Sequence, residues 1–312
     1  MKIRSAFKAG FTALVAGAFM LSGCSSATEE KADKQLTVFA TTGYIADAVA
    51  NIAPDAKVIT MVGPGGDPHT YQPTTKDIEE LQNADVVLWS GLHLEAQMLD
   101  KLQSLGDKQV AVGETLDEKY LLPWPETDAD GHELHDPHIW NDPEAWSLAV
   151  QAAADKIAEI DPDHADMYQE NVTKYREEIK TTVEEAKKLL DKVAEPRILI
   201  SGHDAFNYFG RTFNLEVHAT DFVSSEAKLS TQEISELAQL ISDKKVPVIF
   251  LDNLANPQAI KALQEAVHAN GWDVKISDEE LFADSLGAEK GVDTYLGTLM
   301  HNAKAVSEAL SK

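Results

Sequence analysis

Cysteine is almost absent. The 312-residue chain has one, Cys24, which excludes intrachain disulfides, a cysteine-based metal site and a thiol nucleophile in the folded body. Positive charge is scarce too: 27 Lys and Arg face 52 Asp and Glu, a net of −25. Without a basic face there is nothing to neutralise phosphates, so nucleic acid is excluded as a partner. Long apolar runs are missing except for residues 9–21, too short to span a bilayer as a helix. The chain also lacks a His-Glu-x-x-His helix, a Gly-x-Ser-x-Gly elbow and a phosphate-cradling glycine loop, the usual sequence marks of a hydrolase or nucleotide enzyme. A surface adhesin remains compatible with the chain, but no residue requires it.

The first residues read as an address. Lys2, Arg4 and Lys8 precede the apolar run, which ends in Leu21-Ser22-Gly23-Cys24. That tetrapeptide resembles the lipobox of bacterial lipoproteins, in which the cysteine becomes lipidated and forms the mature N-terminus. Residues 1–23 are therefore expected to be a signal peptide, Cys24 the lipidation site, and 24–35 a polar, flexible tether. Removing the signal leaves 24 basic against 52 acidic residues, a net of −28. The roughly 280 residues that follow the tether exceed one typical core and favour two domains.

From residue 36 short apolar runs alternate with helical patterns, the signature of an α/β fold with mostly parallel strands. Strands are expected at 36–40, 57–61, 86–89 and 109–112, with helices at 44–52, 75–82 and 94–105 between them. Asp142-Pro143 places an N-cap before a proline at the first helical position, opening a helix to residue 160. Asp161-Pro162 opens the longest helical pattern, carried by Tyr168, Val172, Tyr175, Ile179, Val183, Ala186, Leu190 and Val193. A helix over 161–194 reads as a rigid connector between an N-terminal lobe, 36–160, and a C-terminal lobe, 195–312. The second lobe repeats the theme. Strands are expected at 197–201, 216–220, 246–251 and 273–276; a helix runs through 213, others start at the Ser230/Glu233 capping box and at Asn256-Pro257, and the last covers 293–310.

Asp-Pro-His occurs twice, at Asp67-Pro68-His69 and Asp136-Pro137-His138; His203-Asp204 and Asp284 follow. Proline holds its own φ and pushes its predecessor out of the helical region, so each histidine is presented from a stiff turn. A single histidine after proline is ordinarily just a turn residue. Three imidazoles and a carboxylate on separate loops could instead enclose a divalent transition metal. His69, His203 and Asp284 each follow an expected strand, and ligands in open α/β sheets bind at the carboxyl ends of strands. The site is thereby expected in the cleft between the lobes. Histidine must be neutral to coordinate, so affinity is expected to fall as pH drops through about 6.

At these residues the chain resembles the metal-binding solute receptors of bacterial ABC importers for manganese and zinc, the cluster A-I (cluster 9) family. The matching stretches run from Gly63 to Thr74, through Ala84-Asp85-Val86-Val87, Asp136-Pro137-His138-Ile139-Trp140 and Ser201-Gly202-His203-Asp204-Ala205-Phe206, to Asp284-Ser285-Leu286-Gly287. The resemblance implies two (β/α) lobes joined by one long helix, with His69, His138, His203 and Asp284 as ligands of a single metal. This three-His-one-Asp set is similar to the treponemal-type receptors. It also implies a lipid-anchored, extracytoplasmic monomer that is not an enzyme and that passes metal to an ABC permease and its ATPase. Zinc receptors of the family usually carry a long His-rich loop, whereas the segment 126–135 here is short and offers only His132 and His135. Mn²⁺ is the expected cargo and Zn²⁺ the alternative. His93, His164, His218, His268 and His301 are expected to be ordinary surface or satisfied residues. Ser224-Ser225-Glu226 resembles a family loop near the cleft, with Glu226 not expected to be a ligand. Asn141 departs from the apolar residue usual after the tryptophan, a change expected to have little effect.

Overall fold

Short, apolar-centred runs of three or four residues become parallel strands in the first half of the chain. The computed structural model describes residues 34–128, 130–221 and 230–311. Cys24, the leader, most of the tether and Ser224-Ser225-Glu226 lie outside the described residues. Strands β1 (Thr37–Ala40), β2 (Lys57–Thr60), β3 (Val86–Trp89) and β4 (Gln109–Ala111) form one sheet in the order β2-β1-β3-β4, parallel throughout. Its residues alternate between two cores: Val38, Ala40, Val86 and Leu88 face one, Phe39, Val87 and Trp89 the other. Burial on both faces explains why the central strands β1 and β3 are almost continuously apolar, while the edge strands β2 and β4 carry Lys57, Thr60 and Gln109.

Helices α1 (Gly43–Ile52), α2 (Thr75–Asn83) and α3 (Leu99–Gln103) connect them, α3 after a 3₁₀ turn at Ala96–Met98. The helix expected over 94–105 is thus broken into two short pieces. Residues 126–135, read from sequence as part of a loop, contribute to an antiparallel hairpin of β5 (Pro123–Thr127) and β6 (Glu133–His135). Pro123 and Pro125 argue against a strand. Burial of Trp124, whose ring lies 5.8 Å from that of His138, overrides them.

Helix α4 (Pro143–Ile160) starts as expected: the Asp142 side chain accepts the Glu144 and Ala145 amides. Helix α5 differs at its start. Pro162–His164 is a 3₁₀ turn and the α-helix spans Ala165–Leu190, 26 residues, about 39 Å at ~1.5 Å per residue. Asp161 does not cap it, because its carboxylate binds the Tyr168 hydroxyl and the His164 ring. The helix packs its apolar face on α1, on α4 and on the final helix, so it is backed by neighbours rather than free-standing.

The second half contains β7 (Ile198–His203), α6 (Asn207–Phe213), β8 (Glu216–Asp221), α7 (Thr231–Lys244), β9 (Val248–Ile249), α8 (Pro257–Ala269), β10 (Lys275–Ile276) and α9 (Tyr295–Leu310). Pairs β7–β8 and β9–β10 are parallel, and the Phe250 amide donates to Ile200 O at 2.8 Å, placing β9 beside β7. Strand β9 starts later than expected because Lys245 ends α7 in the left-handed region and the Val246 amide turns back to Ile241 O. The fold is α/β, with two lobes and the long helix α5 between them in sequence. Its largest core joins residues of β1, α1, α4, α5, α6 and α9, so apolar packing is continuous across both halves.

Candidate metal centre

Four side chains from four loops or strand ends converge at the carboxyl edges of the strands. Each of His69, His138, His203 and Asp284 is buried, and one ligand atom of each lies within 4.8 Å of all the others. The His138 Nε2 atom is 3.2 Å from His69 Nε2 and 3.3 Å from His203 Nε2. Asp284 Oδ2 is 3.2 Å from His69 Nε2 and 3.0 Å from His203 Nε2, and Oδ1 is 3.4 Å from His138 Nε2. A tetrahedron of bonds near 2.0–2.1 Å has edges of roughly 3.3 Å. The cage therefore has the size of a small divalent ion. Both Asp284 oxygens are buried without a hydrogen-bond donor in proper geometry, a cost that persists unless a cation compensates it.

Each candidate ligand is held differently. Asp136 accepts the His138 amide at 3.0 Å and the His138 Nδ1–H at 2.7 Å, leaving Nε2 as the free lone pair. Asp136 is fully buried, and Asn207 and Tyr208 of α6 bond its carboxylate and its carbonyl. His69 is presented by a turn in which Asp67 accepts the His69 amide at 2.8 Å and the Thr70 hydroxyl at 2.7 Å. His203 closes β7, where the Gly202 and His203 amides donate to Asp252 at 3.0 and 2.8 Å. Gly202 is obligatory there: a Cβ would meet Ala255 Cβ at 2.2 Å. Asp284 follows β10, and its neighbours are anchored by Asn253, which accepts the Ala283 amide and donates to Ser285.

The charges within the cage are unequal. Burial pushes His203 down, but the Asp284 carboxylate, with help from Asp252 and Asp204, lifts it to about 10. Burial lowers His69 and Asp284 only partly offsets this. Asp284 lies well below the carboxylate range, because His203 and His138 outweigh the upward pull of burial. Asp284 favours a proton on His203, 3.0 Å away, and a metal entering the cage competes with that proton. This moves the window of proton competition above the value of about 6 expected for free histidine.

The family whose description reads zinc-uptake complex component A, periplasmic, matches residues 38–309. The chain belongs to this family. It is 34% identical over 305 residues to the manganese-binding lipoprotein MntA of Bacillus subtilis, covering 96% of this chain and 97% of that protein. It is 35% identical over 301 residues to the zinc-binding protein TroA of Treponema pallidum, covering 94% and 96%. The solved structure of the periplasmic zinc-binding protein TroA superposes with a TM-score of 0.83 at 34% identity, covering 89% of this chain and all of that one. Like the rest of the family, the chain is a substrate-binding component of an ABC transporter and not an enzyme.

For this family member, several residues around the cage were not singled out from sequence. Asp252 and Asn253 are near-adjacent to a two-residue strand, too short for periodicity to mark. Asn141, by contrast, is the departure expected from sequence to have little effect; it is buried and donates to Ala205 O at 2.8 Å, tying the segment before α4 to the turn after β7. Four other histidines have local partners: His164 with Asp161, His218 with Glu216, His268 with Asp273 and His301 with Glu280 O; His93 lies in the left-handed region of the backbone, φ 64°. The exposed His132 bonds the half-buried Asp128, and His135 lies 3.7 Å from Glu118. Neither belongs to the buried cage.

Proposed function

We propose that this protein captures one divalent transition metal, Mn²⁺, through His69, His138, His203 and Asp284, and delivers it to a cognate ABC permease and its ATPase. Cys24, lipidated, anchors the chain as a monomer at the extracytoplasmic face of the cell membrane. The supporting observation is the buried carboxylate of Asp284, with both oxygens unsatisfied and three imidazole nitrogens 3.0–3.4 Å away. With all four side chains nearly inaccessible, capture and release require the loops or lobes to part. Four protein donors leave little room for a nucleophilic water, in keeping with a carrier.

Zn²⁺ is the second reading, favoured by the cage edges and by three imidazoles. Zinc binds such sites more tightly than manganese whatever is transported, so affinity does not identify the cargo. The short segment 126–135, with only His132 and His135, favours manganese. The test is growth of a deletion strain, with the metal content of protein from its native cell. Manganese-dependent growth failure rescued by manganese is the expected result. Normal manganese uptake with failure specifically in zinc-poor medium would establish the second reading.

A further inference from the structure

We infer that Tyr44 and Trp140 are positioning residues for Asp284, acting through the carbonyl of Ala283; this rests on the metal-site reading above. Ala283 O accepts two buried hydrogen bonds, from the Tyr44 hydroxyl at 2.8 Å and from Trp140 Nε1 at 2.9 Å. The two rings stack with centroids 4.9 Å apart and planes 16° from parallel. A carbonyl held from two directions fixes the plane of the Ala283–Asp284 peptide. That plane sets where the Asp284 side chain leaves the backbone.

Both donors come from the chain before α5, and the acceptor comes after it. Tyr44 lies on α1, and Trp140 is two residues beyond His138 in the same 3₁₀ turn. The segment around Asp284 is also bonded on its own side, by Asn253 to Ala283 and Ser285 and by Asn302 to Phe282. One more bond crosses, from the Gly65 amide to Ser285 Oγ at 3.0 Å. The backbone leading into Asp284 is therefore gripped from both lobes. The Trp140 bond couples it to the turn that carries His138. Loosening the grip frees the carboxylate to leave the cage, so it should accelerate release of metal.

The experiment loads the full-length protein with Zn²⁺ alone, confirms one bound ion, and follows release into excess chelator. Tyr44→Phe keeps the stacked ring and deletes one donor, while Trp140 still satisfies the carbonyl. Release should become about tenfold faster, the lower end of the effect of losing an outer-shell partner. Tyr175→Phe is the matched control. It deletes another buried hydroxyl bond, to Asp47 at 2.6 Å, away from the cage. It should lower the melting temperature of metal-free and loaded protein alike and leave release unchanged. Should Tyr44→Phe not fold, Trp140→Phe reads the other donor in the same assay. Release indistinguishable from the parent in a folded clamp variant, or equal acceleration by Tyr175→Phe, would overturn the clamp alone. Failure of the parent to bind Zn²⁺ would overturn the site reading and the clamp with it.

Discussion

In Asp136-Pro137-His138 the carboxylate grips the imidazole it precedes, whereas in Asp67-Pro68-His69 it grips only the backbone and a neighbouring hydroxyl. The tripeptides are identical, and each aspartate bonds the amide of its own histidine. The difference lies in the surroundings. Asp136 is sealed beneath α6, where Asn207 and Tyr208 complete its hydrogen bonds. Asp67 is half-buried, and Thr70 takes its second oxygen. One triplet delivers a histidine with a defined tautomer; the other delivers a histidine whose ring orientation depends on the cage. A motif can thus repeat in sequence without repeating its chemistry.

The largest test of this comparison removes the rings. His138→Ala and His69→Ala should each weaken metal binding by orders of magnitude in a chelator-competition titration, while His301→Ala, whose ring bonds Glu280 O, should change nothing. Parent-like binding by His138→Ala would eliminate it as a ligand.

The carboxylates separate the triplets more sharply. Asp136→Asn should cost about 10–100-fold in affinity by removing the imidazole's tautomer lock. Asp67→Asn keeps an oxygen for the amide and should cost only about threefold, the loss of part of one net hydrogen bond. Equal losses would show that both aspartates act only through the backbone.

Proton linkage compares the rings themselves. A group raised to about 10 is protonated below that pH, so binding must release its proton and affinity falls as pH falls. The expected slope is about one log unit of affinity per pH unit through neutrality, with about one proton released per ion at pH 8. His69, lowered by burial, is already neutral there and should add no second proton. Isothermal titration in buffers of different ionisation enthalpy measures this count. Release near two would mean that His69 also carries charge, and release near zero that His203 holds no proton to displace.

The smallest effect concerns Asn141. Asn141→Leu introduces an apolar side chain but orphans Ala205 O, which now receives the Asn141 amide. Thermal stability should drop by about 1–2 kcal/mol, from a buried acceptor left unpaired, with metal affinity nearly unchanged.

Much of the scaffold was legible before any coordinates. Strands β1 to β4 and helix α4 appear within a residue or two of expectation, because each strand is a short apolar-centred run, fully buried in β3, and Asp142-Pro143 is an explicit start signal. The Ser230/Glu233 capping box also forms as read. The failures share a cause. Asp161-Pro162 looks like the same start signal, yet Tyr168 and His164 compete for its carboxylate. The β5–β6 hairpin contains prolines that speak against a strand, and it forms because Trp124 is buried beside His138. In each case a side-chain contact that the start or strand signal does not include decides.

By itself the sequence determined the kind of chemistry and its carriers. One cysteine, few basic residues and two Asp-Pro-His triplets leave a nitrogen- and oxygen-donor cage as the available metal site, because ligand types and turn stiffness are local properties. Only the tertiary structure decided that the donors meet within 4.8 Å and that their charges are unequal. It also decided that Asp284 is held by residues more than a hundred positions away. Distances between loops and the burial of charge depend on how whole elements pack, and no short stretch of chain encodes that.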